Sequence, residues 1–206
     1  MSELSSWKDF KSKWGKCESC LLHKVRQRVV LAKGKLPCDV LFIGEAPGVA
    51  EDSIGQPFVG PAGKILHQII EMVKKESDHF QDLRMAYTNI ICCIPRSEGG
   101  GTKVSQPPQE ALDGCSERLE DFVSVARPSA IIYVGKLAAE HGSTLLMEYA
   151  DRSIQVTHPA AILRSERATQ SISIQKKIEL GDPAPKAQEV FQEICRYRPI
   201  SPAIGG

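Results

Sequence analysis

The chain has 206 residues, 42% of them apolar and 25% charged, with 26 Lys and Arg against 25 Asp and Glu for a net charge of +1. That length can bury one sizeable core and demands no second unit, so a single domain over residues 1–206 is expected. No apolar window approaches the ~20 residues needed to cross a bilayer, and Met1-Ser2-Glu3-Leu4 leads into no apolar core with a small-residue cleavage site. A soluble, intracellular (cytoplasmic) protein with no membrane partner is the expectation.

Charge is unevenly placed. Residues 1–36 hold nine Lys and Arg against Glu3, Asp9 and Glu18, a local +6 set against −5 for the rest. Such a face suits phosphates, although a solvated amphipathic surface accounts for it equally well. Seven cysteines are more than packing ordinarily needs in an intracellular protein. Their odd count argues against a simple disulfide framework and makes metal the better first reading.

Leu4, Trp7, Phe10 and Trp14 recur at helical spacing, and a short helix ends at Gly15. Cys17-Glu18-Ser19-Cys20 follows, and a C-x-x-C lets two thiolates reach one metal or cluster from a single turn. Alone it fits a redox or incidental pair equally well. A basic linker then leads to Val40-Leu41-Phe42-Ile43, a buried strand, and directly to Gly44-Glu45-Ala46-Pro47-Gly48-Val49-Ala50-Glu51-Asp52, an acidic turn. Open α/β sheets keep their ligand sites at such strand exits.

The loop Gly55-Gln56-Pro57-Phe58-Val59-Gly60-Pro61-Ala62-Gly63 carries one large aromatic, either a core anchor or a platform on which a base stacks. Ile65, Leu66, Ile69, Ile70 and Val73 predict a helix over the sheet. A second strand lies within 85–94, with Thr88-Asn89 ahead of its apolar centre at Ile90-Ile91 and Cys92-Cys93 behind it. A Gly-rich patch leads into a helix with Ala111, Leu112, Cys115, Leu119, Phe122 and Val123 on its apolar side, where Cys115 fits a core position. Residues 130–135 form a third strand followed by a helix from Lys136. Residues 153–157 form a fourth, ending in His158-Pro159-Ala160-Ala161-Ile162-Leu163-Arg164; a last helix spans 185–196 before a loose tail.

This alternation predicts an open, mostly parallel four-stranded sheet with helices on both faces. Three strand exits converge on one crevice: residues 44–52, the Asn89 neighbourhood and His158. A turn or capping role is the alternative for Asn89, and a lone His before Pro is ordinarily structural.

Taken together, Cys17-x-x-Cys20, Gly44-Glu45-Ala46-Pro47-Gly48-x-x-Glu51-Asp52, Gly55-x-Pro57-Phe58-x-Gly60-x-Ala62-Gly63, Thr88-Asn89, Cys93, Cys115 and His158-Pro159-Ala160-Ala161-Ile162-Leu163-Arg164 resemble the family 4 uracil-DNA glycosylases in order and rough spacing. The resemblance implies a three-layer α/β/α sandwich and a [4Fe-4S] cluster on Cys17, Cys20, Cys93 and Cys115, with zinc in the same thiolates as the alternative. Cys38 and Cys195 then serve packing. Strand alternation would send Cys92 and Cys93 to opposite faces, leaving only one as a ligand.

The resemblance further implies a monofunctional hydrolase in base excision repair that extrudes uracil from single- or double-stranded DNA and leaves an abasic site. A monomer is expected. Phe58 would stack on the base, Asn89 would pair with its O4 and N3–H, and Gly44 and Ala46 would line the pocket. His158 would hydrogen-bond the developing oxyanion, while Glu45 and Glu51 are candidates to orient water and stabilise the sugar cation. Leu163, Arg164 and Arg167 resemble a loop entering the minor groove, with Leu163 as a wedge; an ordinary helix end is the alternative.

Three departures stand out: the Gly-rich 98–104 stretch, Ser116 after Cys115, and the poorly matching residues 165–206. Ala46 also occupies the place where other branches of the superfamily carry an aspartate. The rival readings are a glycosylase for another modified base and a non-catalytic iron–sulfur module that binds nucleic acid.

Overall fold

The computed structural model describes residues 6–96, 104–167 and 185–196. One sheet contains β1 (Ala32–Gly34), β2 (Val40–Gly44), β3 (Met85–Asn89), β4 (Ala130–Val134) and β5 (Ser153–Val156), in the spatial order β1-β3-β2-β4-β5. β2 pairs in parallel with β3 and β4, and β4 with β5. β1 lies antiparallel on the outer edge of β3.

The sheet thus has five strands, not the four expected. β1 falls in the stretch that reads as a basic linker, because three residues including a Lys and a Gly show no apolar alternation. Its place comes from pairing Ala32, Lys33 and Gly34 with Thr88, Tyr87 and Ala86. A short, Lys-bearing edge also discourages pairing with another chain.

The three central strands are buried along their whole length, as parallel strands covered on both faces must be. Alternate side chains divide between two cores. Leu41, Ile43, Ala86, Ile131 and Tyr133 pack toward α1 (Trp7–Trp14), α4 (Gln109–Ala126) and α5 (Lys136–Leu145). Val40, Phe42, Met85, Tyr87, Ile132 and Val134 pack toward α3 (Pro61–Glu76), α6 (Pro159–Arg167) and α7 (Pro185–Arg196). This is the expected three-layer α/β/α arrangement. On α3 the predicted Ile65, Leu66, Ile69, Ile70 and Val73 are all buried, each contributing roughly 1.5–3 kcal/mol.

α1 is clamped to α4. Its Phe10 ring lies 5.3 Å from that of Phe122, and the Trp14 indole N–H donates to Asp121 at 2.8 Å. Lys13 pairs with Glu117 at 2.7 Å and Asp121 at 2.8 Å, but such exposed pairs contribute only ~0–1 kcal/mol. The aromatic contacts therefore carry the clamp. The Cys17 N–H donates to Trp14 O at 3.1 Å, so docking α1 also sets where the C-x-x-C begins.

Two boundaries differ from expectation. β3 stops at Asn89 and residues 90–93 bend, with Val30 N–H held by Cys92 O at 2.8 Å. The acidic turn is half helical: α2 (Val49–Ile54) begins inside it after Gly48. Of the Gly-rich stretch only Val104 is described, bridged antiparallel to Arg96. Residues 168–184 and the 197–206 tail lie outside the described residues.

Candidate active site and thiol cluster

β2 lies at the topological switch point, since the chain passes from it to β3 on one side and then crosses back to β4 on the other. Ligand crevices form beyond the carboxyl ends of strands at such a point. Gly44 ends β2 in register with Asn89 at the end of β3. Gly135 follows β4, and His158 follows β5.

Gly44 is where Asn89 and Phe58 come together. A methyl group there would sit 2.5 Å from Asn89 Oδ1 and 2.6 Å from Phe58 Cζ, so only glycine lets the amide and the ring approach each other across the strand end. Asn89 is 4% exposed, and among the described residues its side-chain amide has no hydrogen-bond partner. Both donor and acceptor of Asn89 are thus presented where a planar ring lying on Phe58 would show its edge.

The Asn89 backbone is held from behind by a residue the sequence pattern did not single out. Arg118, on the buried side of α4, is fully enclosed and donates to Asn89 O at 2.6 Å, Ile90 O at 2.7 Å and Thr88 Oγ1 at 3.0 Å. The Thr88 hydroxyl in turn donates to Leu31 O at 2.7 Å. A charged residue amid Leu112, Leu119 and Phe122 was the available signal.

Phe58 is buried with a left-handed backbone, φ 54°, a conformation that costs roughly 1–3 kcal/mol outside glycine. Glu51 holds the next two residues: its Oε1 accepts from Val59 N–H at 3.0 Å and Gly60 N–H at 2.7 Å, while Oε2 accepts from Gly48 N–H at 3.1 Å. Both carboxylate oxygens are thereby committed to backbone amides that shape the site. Glu51 thus shapes the turn through its main-chain contacts, and half-buried Glu45 is the other glutamate of the turn. Ala46 is half-buried against the core under α4.

Asp52 is fully buried. Its Oδ1 accepts from Gln27 N–H at 2.9 Å and Arg28 N–H at 3.3 Å, and Arg96 approaches Oδ2 at 3.6 Å. The acidic turn therefore anchors the basic segment that precedes β1.

His158 packs over Gly135, where a methyl group would fall 3.0 Å from its Cβ and 3.2 Å from Cδ2. Its Nδ1 accepts from Ala160 N–H at 3.1 Å. In a neutral ring that places the proton on Nε2, which becomes a donor, at the first turn of α6 where the dipole favours negative charge. Leu163 is half-buried and packs against the core beneath α3 and α7. The side chains of Arg164 and Arg167 lie outside the described residues.

The cysteines of the N-terminal segment, the bend after β3 and α4 face one another. Gly114 lies against the C-x-x-C, a methyl there falling 3.2 Å from Ser19 O, and Leu21 N–H donates to Glu110 at 3.2 Å. Cys92 Sγ lies 3.9 Å from both Cys93 Sγ and Cys115 Sγ. The expected alternation of Cys92 and Cys93 fails because the strand has already ended. Arg26 donates to Cys93 Sγ at 3.2 Å. The Cys93 thiol is held below the ordinary thiol range by its hydrogen bond with Cys92, against burial and with help from Arg26. Burial pushes Cys20 up, with further upward pressure from Cys115 and Cys17. No three His, Cys, Asp or Glu side chains among the described residues close on a single ion. A soft, thiol-only donor set flanked by arginines fits an anionic iron–sulfur cluster. Cys38 is buried and Cys195 half-buried, both apart from this group and packed in the cores.

The family model for the uracil DNA glycosylase superfamily matches residues 31–179. A type-4 uracil-DNA glycosylase of Pyrobaculum aerophilum is 29% identical over 72% of this chain and 80% of its own length. One of Sulfurisphaera tokodaii is 29% identical over 71% of each, and one of Saccharolobus solfataricus is 35% identical over 59% of this chain and 51% of the relative. The matched region spans β1 through α6 and so contains the strand exits that carry Gly44, Asn89 and His158, which makes this chain a member of the uracil DNA glycosylase superfamily.

Proposed function

We propose that the chain is a monofunctional glycosylase that flips uracil out of DNA and hydrolyses its N-glycosidic bond, leaving an abasic site for base excision repair. The single observation behind this reading is that the Phe58 ring and the Asn89 side-chain oxygen converge on Gly44, where no side chain stands between them. Asn89 accepts from the uracil N3–H and donates to O4, whereas cytosine presents the opposite pattern there.

In the chemical step the oxygen of a water bonds to C1′ as the C1′–N1 bond breaks. The bonding pair leaves on the base, delocalised over N1 and O2, and the water's proton passes to Glu45 and then to solvent. His158 Nε2–H stabilises the departing anion; one such donor contributes about 10²–10³ in rate. Glu45 also faces the cationic sugar of the transition state.

Cys17, Cys20, Cys93 and Cys115 would hold a [4Fe-4S] cluster, whose part is to staple the basic N-terminal segment to the sheet and α4. Arg164 and Arg167 would contact DNA. The protein acts as a single-domain monomer, and a DNA substrate puts it inside the cell.

The test is incubation with single- and double-stranded oligonucleotides carrying one uracil, followed by cleavage at abasic sites. Cut strands are expected. Product only from another modified base would replace the substrate, and none from any base would favour a non-catalytic binding module.

A further inference from the structure

Lys33 has no part in the reading above, yet it lies directly behind the stacking ring. It sits on β1 opposite Tyr87, and its half-buried ammonium donates to Phe58 O at 3.1 Å and meets His67 Nε2 at 3.0 Å. An ammonium has no acceptor, so the second contact requires His67 to accept through Nε2 and be neutral. The ammonium also lies 5.4 Å from the Tyr87 ring centroid, against which His67 packs edge-on at 4.9 Å and Phe58 at 5.9 Å. The strained Phe58 carbonyl is thereby gripped from an edge strand on one side and the first turns of α3 on the other.

We propose that Lys33 and His67 are positioning residues that lock the Phe58 main chain, and with it the tilt of the base-stacking ring, and that the lock requires a neutral imidazole. The proposal rests on Phe58 being the base platform. Protonating His67 sets two cations 3.0 Å apart and takes away the acceptor that fixes the Lys33 ammonium beneath the Phe58 carbonyl. Burial, with Lys33 beside it, holds His67 below the ordinary histidine range, against a hydrogen bond to the Phe58 main chain that favours the charged ring. The other charged or titratable groups facing the pair are Tyr87 from β3, Glu71 and Lys74 from α3 itself, and Glu51 from α2; Glu71 and Glu51 temper the repulsion without replacing the hydrogen bond.

The experiment compares wild type, Lys33→Met and His67→Asn by NMR of the Phe58 amide across pH 5 to 8, and by steady-state kinetics on a uracil-containing single strand. In wild type the Phe58 resonance should move through one titration below neutral pH. That titration should vanish in His67→Asn, and Lys33→Met should show the low-pH position throughout. KM should rise about tenfold in Lys33→Met while kcat changes much less, and Lys33→Arg, which keeps a cationic donor, should recover most of the loss. A Phe58 amide unmoved by pH, or by Lys33→Met in a protein of wild-type thermal stability, overturns the proposal. Absence of uracil excision with the Phe58 titration intact overturns the platform reading instead.

Discussion

Arg118 donates its guanidinium to the main-chain carbonyl of Asn89 at 2.6 Å from a fully buried position on α4. The residue proposed to read the base is thus fixed through its main chain by a buried cation on α4. Arg118→Met would leave three acceptors at the end of β3 without their donor. A stability loss of about 3 kcal/mol or more is expected, read as a lowered urea midpoint, with a disproportionate rise in KM for uracil-containing DNA. Arg118→Lys should rescue little, because a point charge cannot span three carbonyl and hydroxyl oxygens.

The two glutamates of the acidic turn should separate cleanly. Glu51→Gln loses acceptor capacity for three backbone amides and should cost about 1–3 kcal/mol in stability, with the kinetic defect mainly in KM. Glu45→Gln should leave the denaturation midpoint near wild type and act on kcat. Equal kcat losses with unchanged stability in both would return Glu51 to the chemistry.

Gly44→Ala pushes a methyl between Asn89 and Phe58. A modest stability loss of about 1–3 kcal/mol is expected, together with near-complete loss of uracil excision, since the added carbon would displace Asn89 and Phe58 from each other. Full activity would mean that the base lies elsewhere.

His158→Ala and Asn89→Ala should lose excision while keeping any visible chromophore. For His158 the expected fall is about 10²–10³ in kcat. The purified protein is expected to be brown with broad visible absorbance; a colourless, zinc-containing protein would contradict the cluster. Cys93→Ala should lose the absorbance and Cys92→Ala should keep it, and the reverse result would exchange the two assignments. Treatment with a chelator and oxidant should bleach the protein and loosen the N-terminal segment, read as early proteolysis near residues 15–30.

The sequence made the architecture legible wherever burial left a periodic trace. The aliphatics of α3, the apolar cores of β2 and β4, and the polar residues at their exits could be read directly, and convergence at Gly44, Asn89 and His158 followed from topology. What escaped depends on contacts between distant residues. β1 exists because Thr88, Tyr87 and Ala86 offer it an edge, and nothing in Ala-Lys-Gly announces that. The capping part of Glu51 depends on Val59 and Gly60 folding back to it. Arg118 was hidden by its apolar neighbours on α4, and the Cys92–Cys93 argument failed because β3 ends four residues before Cys93, so alternation no longer applies.

The identity of the released base tests the Phe58–Gly44–Asn89 site most directly. Mass spectrometry of the small-molecule fraction, after incubating the protein with DNA carrying uracil at one position, should show free uracil stoichiometric with abasic sites, and none with Asn89→Ala. Release of a different base only, or equal uracil release by Asn89→Ala, would contradict the pocket formed by Phe58, Gly44 and Asn89.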